Sequence, residues 1–86
     1  MRERSLAALR PGEGGTVQAL ETAPGLTARL EALGLLPGAE VLCLMKGPFG
    51  SPAAYLVRGA AAALRQEDAA RVLLLPHPEE AGNALP

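Results

Sequence analysis

Glycine and proline interrupt this chain so often that they limit its fold more than any other feature. Ten glycines and eight prolines are scattered at short intervals through 86 residues. Proline ends helices and glycine supplies turns, so long helices are excluded and short elements joined by tight connections are expected. The apolar residues pull the other way. Ala and Leu fill 33 of the 86 positions, Val contributes four and Ile is absent. That bias favours helix by propensity, but propensity is a weak prior, and we let punctuation and hydrophobic period decide. With 49% apolar residues and a net charge of -1 the chain has the composition of a folded domain, because disorder needs low hydrophobicity and high charge. A chain of this length makes one domain and buries only about 60–65% of its unfolded surface. A cleft enclosing a large substrate would consume its core, so an elaborate enzyme is excluded.

Ser5–Leu9 is a short apolar entry, closed by Pro11-Gly12. Gly14-Gly15 then release Thr16–Leu20, which reads as a strand with Thr16, Gln18 and Leu20 on one face and Val17 and Ala19 on the other. From Gly25 to Gly34, Leu26, Leu30 and Leu33 recur at i, i+4 and i+7, the spacing of a short amphipathic helix. Pro24 and Gly25 mark its start, and Gly34 suits the left-handed residue that closes many helices. Val41–Met45 reads as a strand, and Tyr55–Arg58 as its hairpin partner across a loop of roughly six residues. Gly59 marks a bend or bulge. Ala60–Leu64 is assigned to a strand despite its four alanines, because a glycine-bounded piece of that length is a poor isolated helix. Gln66–Ala70 reads as one helical turn and Arg71–Leu75 as a closing strand that buries Val72 and Leu74. The expected architecture is mainly β: about five short strands in a small closed or partly closed barrel, with one helix between the first and second strands. Residues 1–75 form the domain, and 76–86 are expected to be a flexible tail.

The chain offers little for catalysis. Its one histidine, His77, lies between prolines in the tail, and its one cysteine, Cys43, stands in an apolar strand as a small hydrophobe. Pro11–Gly15 is glycine-rich but lacks the Lys-Ser/Thr ending of a phosphate loop and precedes a strand. Glu67-Asp68 fits the first turn of a short helix, where carboxylates complement the dipole. No catalytic residue, cofactor site or metal set is assigned. His77 with Glu79 and Glu80 is left as a weak divalent-metal association at most. Near-zero net charge gives no footprint for nucleic acid. No run of about 18 apolar residues is present to enter a membrane, and no secretory leader begins the chain. The cytoplasm is the expected location, in keeping with a solitary Cys.

Leu30–Val41, LEALGLLPGAEV, resembles the Leu-x-x-Leu-Gly-Leu-x-Pro-Gly signature of the FeoA family of ferrous iron transport accessory proteins. PGEGGTV upstream, the GPFGSP loop, and RGAAAALRQEDAARVLL resemble further family segments in the same order. The resemblance spans roughly residues 5–75 and departs at Ala60–Ala63, where family members often carry larger or polar residues. It implies an SH3-like barrel, no enzymatic activity, and a cytosolic partner, the FeoB-type GTPase membrane transporter. FeoA-like domains also end metal-dependent repressors. Met1 lies just before the domain, so the stand-alone form is expected. Leu30, Leu33 and Leu35 are expected to plug the barrel. Leu26, Arg29, Leu33 and Leu36 are the candidate partner-binding residues, because leucines crowd a short helix in a chain too small to bury them all. Self-association is left open, and direct sensing of divalent metal is the alternative function.

Overall fold

The computed structural model describes residues 4–76. Among them are six strands, β1 (Arg4–Ser5), β2 (Gly14–Leu20), β3 (Glu40–Lys46), β4 (Ala53–Val57), β5 (Ala60–Leu64) and β6 (Val72–Leu74), with helix α1 (Pro24–Ala32) between β2 and β3 and α2 (Gln66–Ala69) between β5 and β6. Single 3-10 turns occupy Leu6–Ala8 and Pro48–Gly50. All strand pairs are antiparallel, in the order β1-β6-β2-β3-β4-β5.

Three expectations are corrected. The sheet has six strands rather than about five, because Arg4 and Ser5 pair with Leu74 and Leu73. That extra strand places α1 between the second and third strands. The hydrogen-bonded ladder also does not close into a barrel: β1 and β5 remain as its two edges. The curvature comes largely from β2, whose first half, Gly14–Thr16, pairs with β3 while Val17, Ala19 and Leu20 pair with β6. Within the half paired to β6 a register shift falls at Gln18, and an extra residue bends and twists a strand in this way. It also breaks the expected alternation, since Leu20 packs against the core that Val17 enters. Strict period 2 holds only while pairing is regular.

The core is leucine-built, as composition requires, and gathers Leu6, Leu9, Leu30, Leu35, Leu64 and Leu74 around Tyr55. Ala60–Leu64 is a strand and Gln66–Ala69 one helical turn, as the sequence implies. The β3–β4 hairpin spans Gly47–Pro52. Arg58-Gly59 form a two-residue turn with φ of 54° and 84°, the mirror-type turn that matches strand twist, rather than a bulge. The loop of the β3–β4 hairpin reaches the N-terminus of α2: Gln66 N–H donates to Ser51 Oγ at 3.0 Å. The expected tail lies outside the described residues, except for Pro76.

Tyr55 is the largest fully buried side chain, and its hydroxyl donates to the Leu6 carbonyl at 3.3 Å. Burial, followed by the nearby Cys43, raises its pKa to about 12, against roughly 10 for an exposed tyrosine. The unfolded chain therefore loses this proton first. Tyr55 stabilises fully below pH ~10, and its contribution is lost as pH rises toward the folded value, a change on the order of 2–3 kcal/mol. Denaturant midpoints measured from pH 9 to 12 should fall steeply in the parent chain and more shallowly in Tyr55→Phe. Parallel profiles would show that Tyr55 does not govern the alkaline loss.

Candidate docking site

Helix α1 begins with Pro24 at its first position, where a missing N–H leaves no bond unmade. Its C-terminus is a Schellman closure: Leu35 N–H donates to Leu30 O at 3.0 Å and Gly34 N–H to Glu31 O at 2.9 Å, with Gly34 at φ +104°. Leu30 and Leu35, which bracket that closure, are 1% and 0% exposed. The apolar contact that accompanies such closures is thus also the anchor of α1 to the core.

The neighbouring leucines divide differently. Leu33 is 45% exposed and does not plug the fold, so the expectation for this residue differs from the outcome for Leu30 and Leu35. Leu33 falls on the helix cap, one position too far round to follow Leu30 inward. Leu26 is half-buried and packs on the edge of the core. Arg29 is exposed. Leu26, Arg29 and Leu33 line one groove of about 400 Å³ with Ala63, Leu64, Arg65 and Asp68. Leu36, 38% exposed, is not among the residues lining it. Three of the four predicted contact residues therefore share a surface, and Leu36 stands apart.

The opposite wall was missed because its residues come from β5, α2 and Arg65 between them, thirty or more positions away in sequence. A single sequence carries no signal for that juxtaposition. Phe49 was also missed: it is fully exposed at the hairpin tip, with φ 59°. An aromatic side chain between Gly-Pro and Gly was the available clue. Leu44 and Met45 are exposed beside a register shift in β3.

The groove has an apolar floor and a charged rim of Arg29, Arg65 and Asp68. Arg65 approaches Glu67 at 3.7 Å with both side chains largely exposed, an arrangement that adds little. Arg29 makes no ion pair among the described residues. Cys43 is buried and its thiol pKa is raised, chiefly by that burial, so it is not an activated nucleophile. No group of three or more His, Cys, Asp or Glu able to hold a metal occurs among the described residues. Among the described residues no helix is long and apolar enough to cross a membrane.

An antiparallel six-stranded sheet with one helix beside it and an apolar groove between α1 and β5 is the arrangement of a small SH3-like domain. The FeoA domain model matches residues 4–76, and the chain belongs to that family, which is linked to ferrous iron transport. A crystal structure of an iron uptake regulatory protein, FeoA, is 29% identical, with a TM-score of 0.77 over 85% of this chain and 96% of the other. FeoA of Stenotrophomonas maltophilia, crystallised with zinc and described as a procaryotic SH3 domain protein, is 31% identical, with a TM-score of 0.72 over 83% of this chain and 88% of that one. A manganese-dependent transcriptional repressor shares the fold at 21% identity and a TM-score of 0.78, matching 87% of this chain but 41% of its own length. No curated protein matches the sequence.

Proposed function

We propose that this chain is a cytoplasmic docking accessory of ferrous iron uptake that modulates a FeoB-type GTPase transporter by direct contact, without catalysing a reaction itself. The observation that carries the reading is the exposure of Leu33 beside Arg29 on one groove with an apolar floor. Family membership supports the process, and the Stenotrophomonas relative, for which a role as a ferrous iron transport activating factor has been suggested, supports activation as the direction of the effect. An arginine beside an apolar pocket is the kind of residue on which interface energy concentrates.

Calorimetry with the soluble GTPase domain of the transporter from the same organism, with and without Fe(II) and guanine nucleotide, tests this. Saturable binding is expected, weakened at least tenfold by Arg29→Ala while the thermal midpoint is unchanged. Absence of binding at about 100 μM, where a contact of roughly -5.5 kcal/mol registers, would overturn it.

The zinc complex of the Stenotrophomonas protein favours a second reading, in which the chain senses a divalent metal. Its donors here would be His77, Glu79 and Glu80, outside the described residues, or groups shared between two chains. Stoichiometric micromolar zinc binding that His77→Ala abolishes would establish it.

A further inference from the structure

We propose that the groove between α1 and β5 takes an extended segment of the partner, which pairs with the free edge of β5 as a seventh strand and inserts one apolar side chain among Leu26, Leu30 and Leu33. The inference rests on the docking reading and gives the chemistry of what is docked.

The first support is the hydrogen-bonding state of β5. Among the described residues it pairs only with β4, from Val57–Ala60 to Ala53–Leu64, without a register shift. A two-residue turn makes its flanking pair, Val57–Ala60, the hydrogen-bonded one. Ala60, Ala62 and Leu64 therefore bond to β4, and the N–H and C=O groups of Ala61 and Ala63 point away from the sheet. Among the described residues those groups meet no other backbone partner. Edge strands are ordinarily blunted by charge, proline or a bulge, and Ala60–Ala63 have none of these. Alanine is also a poor strand former. Its small side chain does keep the edge open to a second backbone.

The second support is the position of α1. A Cβ on Gly34 would stand 2.5 Å from Arg58 Cδ and 3.3 Å from Val57 Cγ1, so the C-terminal end of α1 lies against the β4–β5 turn. Leu26, Arg29 and Leu33 face Ala63, Leu64 and Arg65 across the groove. The helix thus runs beside the β5 edge and leaves a channel between them. A strand bound between a sheet edge and a helix receives main-chain hydrogen bonds on one side and a side-chain pocket on the other.

The charges and the lining select the segment. Arg65 is approached by Glu67, whereas Arg29 makes no ion pair among the described residues, which favours an acidic residue beside the apolar anchor at Arg29. A proline-rich ligand is disfavoured on two grounds: it would leave the Ala61 and Ala63 groups unpaired, and no aromatic side chain lines this groove, whereas polyproline recognition uses aromatic-lined grooves.

The experiment uses the isotope-labelled full chain with two probes: the soluble GTPase domain of the transporter from the same organism, and 12-residue synthetic peptides tiling that transporter's cytosolic regions. Amide exchange is read at each residue. Strand addition slows exchange at Ala61 and Ala63 at least tenfold with the domain and with one acidic, apolar-anchored peptide. Ala63→Pro, which removes an N–H that the fold does not use, weakens binding at least tenfold, and Leu33→Asp does the same at an exposed site. Domain binding without protection of Ala61 and Ala63 overturns strand addition and leaves the docking reading standing. Protection that appears with rising chain concentration and no probe identifies a second copy as the occupant and overturns the proposal. Failure of both probes to bind overturns this inference and the docking reading together.

Discussion

Leu35→Ala should remove a large share of this domain's stability. Leu35 is fully buried and packs where α1 closes onto the core, and its amide completes the closing bond to Leu30. Truncating a buried leucine costs about 2–5 kcal/mol, through lost transfer energy and the cavity left behind. A domain of this size has a total stability of about 4–13 kcal/mol, so one such truncation removes a large share of it. The thermal midpoint should fall by more than about 10 °C. Leu36→Ala, one position along, provides the comparison: that side chain is 38% exposed, and its loss should change stability by less than about 1 kcal/mol. Equal melting of the two variants would show that the chain exit from α1 is not packed as described.

Gly34→Val has the second-largest expected effect, through the backbone rather than the core. At φ +104° a β-branched residue is strained, and its Cβ would stand 2.5 Å from Arg58 Cδ and 3.3 Å from Val57 Cγ1. The arginine stem can swing aside, but Val57 is 1% exposed and held by the sheet. Strain of this kind costs about 1–3 kcal/mol, so the midpoint should fall on the order of 10 °C. Gly25→Ala has the opposite sign. A Cβ there meets nothing within 4 Å, and Ala exceeds Gly in helix by roughly 0.8–1 kcal/mol. Matching thermal melts distinguish the two; a Gly34→Val chain as stable as its parent would remove the case for this closure.

Most of the local structure was legible in the sequence because it rests on short-range chemistry. Leu26, Leu30 and Leu33 marked α1, Gly34 marked its end, and the spacing of Gly and Pro separated β3, β4 and β5. The errors fell where pairing across the fold overrides local pattern. Arg4 and Ser5 carry no strand signal of their own and are extended only because β6 offers them an edge. The bulge at Gln18 moved Leu20 inward against its expected alternation. Leu33 has the spacing of a core residue but sits on the cap, where the helix turns away.

For the candidate site the division is sharper. Arg29 and the crowd of leucines pointed to α1 as a contact surface, but its second wall depends on β5 lying alongside. Sequence by itself determined most of the strand and helix segments, that the core is built from leucine, and, through its signature segments, the family. These follow from turn chemistry, period and composition within a few residues of each position. Only the tertiary structure decided that the sheet stays open at β5, that Leu33 is left out of the core while Leu30 and Leu35 enter it, and that α1 and β5 form a groove. Those outcomes depend on where strands far apart in sequence pair, and that is set by the summed packing of the whole chain rather than by any local run.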